Sequence, residues 1–173
     1  MKRDSIIIAV CFLMSTLAQS DVLVEVNATM VAPSCNIHSE HNDSQLTIDF
    51  GSMKPEALDN THINKDFPIH LSGCDFNKNL AIILNPKGTH TLQHHGQTLL
   101  ATTTAGLGIL FNEITEGVVH VLDINKLQRI HPKKISATEY RADLQARLIS
   151  TIPSERLAVG KFTSAMTILV TYD

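Results

Sequence analysis

Histidines, cysteines and carboxylates are the residues of this chain whose chemistry could define a site. Nine histidines raise the question of metal first: His90, His94 and His95 crowd one stretch, and His38 and His41 follow Cys35. None of them sits at i, i+4 on a stretch that reads as a helix, and no Cys pair lies near them apart from a disulfide candidate. Exposed loop histidines account for them, so no metal or cofactor is expected. For catalysis, the chain has no Gly-x-Ser-x-Gly elbow and no close carboxylate pair with separable acid and base roles. Gly106-Leu107-Gly108 lacks the third glycine and following helix of a dinucleotide loop. Asn27-Ala28-Thr29 and Asn42-Asp43-Ser44 match the N-glycosylation pattern, which is short enough to recur by chance. The chemistry-bearing residues therefore point away from an enzyme.

The cysteines depend on what precedes them. Lys2 and Arg3, the apolar run from Ile6 to Met14, and the small residues ending Ala18-Gln19-Ser20 form the pattern of a secretory signal peptide over residues 1–20. Cleavage after Ser20 leaves Asp21 as the mature start, with cleavage after Ala18 as the alternative. Cys11 lies in the apolar run and is lost with it. Cys35 and Cys74 remain, and an even count in an exported protein reads as one disulfide. No later run is long enough for a transmembrane helix, so the expected product is exported without membrane insertion.

The net charge is −3, and loss of Lys2, Arg3 and Asp4 leaves 12 basic and 16 acidic residues. No basic patch with interleaved aromatics occurs, which argues against nucleic acid as a partner. About 150 mature residues suffice for one domain with one core.

The elements that must position any site read as strands. From Asp21 to Ser34, Val22, Val24, Val26, Ala28, Met30 and Ala32 share one parity against Glu25, Asn27 and Thr29, and Pro33 ends the pattern. Periodicity alone leaves open whether this strand joins the domain's own sheet. Gln45 to Phe50 alternates and turns at Gly51, Met53 to Asn64 reads as loop, and Phe67 to Leu71 and Leu80 to Leu84 are apolar runs. Thr89 to Gln97 reads as a histidine-rich loop. Leu107 to Ile114 and Val118 to Ile124 flank a turn at Glu116-Gly117. Tyr140 to Leu148 fits both a strand and an i, i+4 helical stripe, and its neighbours favour strand. In the last stretch, Phe162, Met166, Ile168, Val170 and Tyr172 alternate with Thr163, Thr167 and Thr171. Short strands with turns between them predict an antiparallel β-sandwich. A hydrophobic last strand must close a sheet or offer an edge to another chain.

Gly160, the penultimate Tyr172, and Met166, Ile168 and Val170 between them resemble the C-terminal motif of chaperone–usher fimbrial subunits, the pilins of Gram-negative bacteria. The signal peptide, the one-faced strand before Cys35, and Cys74 about forty residues on complete the likeness. Leu46-Thr47-Ile48-Asp49-Phe50-Gly51, Gly106-Leu107-Gly108-Ile109 and Ala146-Arg147-Leu148-Ile149-Ser150-Thr151 resemble the minor, adaptor-type subunits of type 1 and P fimbriae.

The resemblance implies an all-β, incomplete immunoglobulin-like sandwich completed by a donated strand. Residues 21–34 would be a donor extension acting through Val22, Val24, Val26, Ala28 and Met30. Residues 35–173 would be the pilin domain, its acceptor groove running along the strand that holds Gly160, Met166, Ile168, Val170 and Tyr172. The implied partners are a periplasmic chaperone, an outer-membrane usher and neighbouring pilin subunits, and the implied destination is the cell-surface fimbrium. Family donors commonly carry a glycine where this chain has Ala28. The other readings are a major shaft pilin of the same family and a secreted β-sandwich that binds a ligand or metal through its histidine loop.

Overall fold

The computed structural model describes residues 35–40, 45–60, 63–88 and 90–173. The strands are β1 (Asn36–His38), β2 (Asn64–Ser72), β3 (Leu80–Pro86), β4 (Thr91–His94), β5 (Gln97–Ala101), β6 (Leu107–Glu113), β7 (His120–Leu122), β8 (Gln128–Ile130), β9 (Lys133–Lys134), β10 (Glu139–Ser150) and β11 (Met166–Tyr172). They form two sheets among the described residues. The larger runs β1-β2-β10-β6-β5-β4, with β7 on β6 and β9 on β10, and the smaller runs β11-β3-β8. The pairings are antiparallel, and the architecture is all-β, as the alternating sequence predicts.

Alternation explains where each strand puts its apolar side. On β2, Phe67, Ile69 and Leu71 are buried, while on β10 it is Ala142, Leu144, Ala146 and Leu148. The ambiguity of Tyr140 to Leu148 is resolved as strand for the same reason. A helical stripe would bury Tyr140, Leu144 and Leu148 but strand pairing also buries Ala142 and Ala146, placing Leu144 opposite Phe67 and Ala146 opposite Phe111. From the smaller sheet, Leu80, Ile82 and Leu84 of β3 meet this layer in one core.

Four stretches differ from the sequence reading. Gln45 to Phe50 is described but is not a regular strand; Ile48 and Phe50 pack partly buried on the core while Leu46 is exposed. The histidine-rich stretch is a hairpin, with β4 and β5 joined through His95 (φ 48°) and Gly96 (φ 81°). Two successive positive φ values are what a tight hairpin turn demands, and His95 supplies one without being glycine. After Glu116 and Gly117, both at positive φ, only His120–Leu122 pairs as a strand. Within the stretch read as loop, Ala57–Asn60 forms one helical turn, α1. No helix among the described residues is long and apolar enough to cross a membrane.

Candidate functional site: a groove beside the last strand

On β11 the alternation places Met166, Ile168, Val170 and Tyr172 on the inward side, opposite Pro86, Leu84, Ile82 and Leu80 of β3. The two strands are covered unequally. Leu80, Ile82 and Leu84 are fully buried, but on β11 only Val170 is, at 6% exposure, and Met166, Ile168 and Tyr172 are partly buried. Topology gives the reason. β11 has β3 as its one strand neighbour among the described residues, so its other edge carries backbone N–H and C=O groups that no described strand pairs.

A cavity of about 790 Å³ lies beside that edge. Its lining comes from Ile37, His38 and Ser39 at β1, from Gln45 to Ile48, from Phe67, Ile69, Leu100 and Phe111 of the core, and from Phe162 to Ile168. It is partly apolar and bordered by a strand edge that no described strand pairs. Its described lining holds no cluster of acids, bases or nucleophiles.

Both ends of β11 are anchored. Before the strand, Thr163 N–H donates to Thr103 Oγ1 at 3.0 Å, Thr103 N–H to Thr163 O at 2.9 Å, and Lys87 N–H to Ala165 O at 2.8 Å. Phe162 packs against Phe50, with ring centroids 6.4 Å apart. Gly160 adopts φ 152°, a conformation that L side chains rarely take, although a Cβ there would meet nothing within 4 Å. The need for glycine is therefore conformational. At the far end, Asp75 N–H donates to the Tyr172 hydroxyl at 2.8 Å. That hydroxyl lies 3.9 Å from Cys35 Sγ, which as a disulfide sulfur can only accept. Cys35 and Cys74 form the disulfide, with Cα atoms 4.5 Å apart, clipping β1 to the end of β2.

Gly160, Met166, Ile168, Val170 and Tyr172 are thus on one strand and its approach, and Cys35 and Cys74 lie at its C-terminal end. Val22, Val24, Val26, Ala28 and Met30 lie outside the described residues. Sequence reading missed Lys87, Thr163 and Gln45 as neighbours of the groove, and Asp75 and Lys78 as supports of Tyr172, whose ring lies 5.2 Å from the Lys78 ammonium. For the last two a signal existed: Asp75-Phe76-Asn77-Lys78 is turn-forming and follows Cys74 directly. As for the histidine hairpin, burial and the neighbouring His95 hold the His94 imidazole below its usual range. No group of three or more His, Cys, Asp or Glu that could hold a metal occurs among the described residues.

The fimbrial protein family model matches residues 24–173. The chain belongs to this family. It is a structural family, so the chain is a fimbrial subunit and not an enzyme. Three solved structures share the fold. The P pilus rod subunit PapA is 18% identical, with a TM-score of 0.56 over 81% of this chain and 99% of its own. The P pilus adaptor subunit PapF is 20% identical, with a TM-score of 0.54 over 83% and 98%. A subunit of a chaperone–usher pilus, from a study of rod uncoiling, is 17% identical, with a TM-score of 0.52 over 91% and 99%. No curated protein matches the chain at a significant level. The antiparallel sandwich of this fimbrial protein is the fold of those pilus subunits.

Proposed function

We propose that this fimbrial protein is a minor, adaptor-type subunit of a chaperone–usher fimbrium, assembled by strand donation into the groove beside β11. The observation that carries the reading is the edge of β11 that no described strand pairs, next to a cavity of about 790 Å³, with the inward-facing Ile168 and Met166 only partly covered. An added strand would pair with that edge through main-chain hydrogen bonds and set its alternate side chains among Phe67, Ile69 and Phe111. A periplasmic chaperone would fill the groove first, and the extension of a neighbouring subunit would replace it at the outer-membrane usher.

Residues 21–34 are the matching donor and residues 35–173 the domain that receives. Burying Val22, Val24, Val26 and Met30 in a neighbour would contribute on the order of 6 to 12 kcal/mol before ordering costs. The three stretches that resemble adaptor subunits favour the adaptor role. A major shaft pilin is the second reading, supported by a rod subunit that shares the fold as well as an adaptor does.

Co-purification from periplasm with a chaperone tests the groove, and stable recovery of the full chain as a lone monomer overturns it. Relative abundance in isolated fimbriae tests the role: a few copies per fimbria fit an adaptor, and the dominant protein of the shaft fits the second reading.

A further inference from the structure

The hairpin that joins β6 to β7 presents an apolar strand edge. Val118, Val119 and Val121 are 53%, 61% and 40% exposed, and His120 among them is exposed as well. β7 pairs with β6, Glu113 opposite His120 and Asn112 opposite Val121, and no described strand pairs its other edge. Edge strands are commonly blunted by charge or proline. That holds for β8, which carries Arg129, and for β9, which is Lys133-Lys134. Residues 118–122, Val-Val-His-Val-Leu, contain no lysine, arginine, carboxylate or proline, and their β-branched composition favours pairing.

Buried hydrogen bonds hold that hairpin. Glu113, at 0% exposure, accepts from the His131 backbone N–H at 2.6 Å and from the Thr115 hydroxyl at 3.4 Å. Thr115 Oγ1 in turn accepts from Asp143 N–H at 3.1 Å, and Ile114 N–H donates to Asp143 O at 2.8 Å. The base of the hairpin is thereby fixed to β10 and to the approach to β9, so pairing at its edge costs little further ordering.

We propose that residues 118–122 pair antiparallel with the same residues of a second copy of the chain, about a two-fold axis at His120. The edge is self-complementary in that register: Val119 falls opposite the second copy's Val121, and Val118 opposite its Leu122. Aliphatic then meets aliphatic at each position beside the axis. Charge selects the same direction. Glu116 lies just before the edge and is exposed; Lys126 lies just after it, its side chain 59% exposed against 20% for Asp123, which it meets at 2.6 Å. Antiparallel pairing brings the Glu116 end of one copy to the Lys126 end of the other, whereas parallel pairing would set like charges together. Five residues a side bury less than the roughly 1,000 Å² of a lasting interface, so two free molecules meet only briefly. Copies carried on neighbouring fimbriae are held close, and there the contact acts as a lateral tie. None of these residues lines the groove beside β11, so the edge is independent of what fills that groove.

A single cysteine at the axis reads the contact even when it is short-lived. His120→Cys, in the full exported chain and in the complex in which it purifies, would face its counterpart with Cβ atoms about 5 Å apart, close enough for a disulfide once the strands adjust. Under mild oxidation it should form covalent dimers at least about tenfold faster than Val118→Cys. Val118 is an exposed site on the same edge, but it lies opposite Leu122 and not opposite itself. Adding Val121→Lys to His120→Cys should return the rate to the Val118→Cys level, whereas adding Val159→Lys, at a site 89% exposed, should not. Peptide mass spectrometry checks that Cys35 and Cys74 stay paired with each other in every variant. Should the cysteine variants fail to fold, the wild-type chain decides by hydrogen exchange: amides of residues 118–122 should exchange more slowly as its concentration is raised, and those of β4 should not. Equal dimer rates for His120→Cys and Val118→Cys, dimerisation indifferent to Val121→Lys, or exchange at residues 118–122 that does not change with concentration overturns the proposal.

Discussion

The backbone N–H of Asp75 donates to the hydroxyl of Tyr172 at 2.8 Å, tying the penultimate residue of the chain to the residue that follows the disulfide-bonded Cys74. Asp173 N–H donates to Asn79 O at 3.0 Å just beyond it. The end of β11, the approach to β3 and the disulfide therefore meet at one junction. With Thr163 and Ala165 fixed at the other end, the strand is held at both ends, and along one edge no described strand pairs with it. A strand held this way keeps its register.

Tyr172→Phe tests the junction. The ring and its packing remain, but the Asp75 N–H loses its acceptor, at a cost of about 1–3 kcal/mol where no water replaces it. The urea midpoint of the full chain in the chaperone complex with which it co-purifies should fall below that of the wild-type complex. A midpoint equal to that of the wild type would show that the hydroxyl contributes nothing to holding the strand.

The disulfide gives a second prediction. Cys35 and Cys74 are 39 residues apart, and in the chain-entropy model a loop of that size stabilises the fold by about 4 kcal/mol. Native exported protein alkylated without reduction should show no modified thiols by mass spectrometry, and Cys35→Ser with Cys74→Ser should sharply lower the folded yield. Two alkylated cysteines in native material, or an undiminished yield, would contradict this.

Legibility in the sequence followed periodicity. β2, β3, β6, β10 and β11 alternate or run apolar because each buries at least one face, and so they could be read. Gln45 to Phe50 alternates equally well, yet it is not a regular strand, because hydrophobic period reports burial and not backbone pairing. The hairpin at His95-Gly96 escaped because histidine at positive φ is uncommon and polar composition suggested loop. The inward residues of the last strand were legible from their spacing. The groove was implied only by the family resemblance, and its core lining was not legible, since it depends on Phe67, Ile69, Leu100 and Phe111, which the sandwich brings together from distant parts of the chain.

Deleting residues 21–33 separates donor from acceptor. The segment precedes the disulfide loop, and the described residues that line the cavity and pair β3 with β11 all lie after it. The truncated chain should still form a soluble chaperone complex but fail to dock into the preceding subunit, as read by native gel shift with that subunit. Loss of the soluble complex itself would mean that the strand belongs to this domain's own sheet.

The most direct test of the groove is a charge placed in it. Ile168 borders the cavity, faces inward opposite Leu84, and is only partly covered by its own chain. Ile168→Asp puts a carboxylate where an incoming strand would seal it from water, so that it must be neutralised or left unpaired at a cost of several kcal/mol. Thr167 is a poor control, because it also borders the cavity. Leu169 is a better one: it lies on the same strand, is 49% exposed, and does not line the cavity. Leu169→Asp keeps the same backbone and adds the same charge on the solvent side, where it stays hydrated. Ile168→Asp should abolish the chaperone complex and lead to periplasmic degradation, while Leu169→Asp should leave most of the complex intact, as measured by co-purification yield. Equal recovery of Ile168→Asp and wild type as chaperone-free monomers would mean that the sandwich is complete without a donated strand, and strand donation would have to be given up.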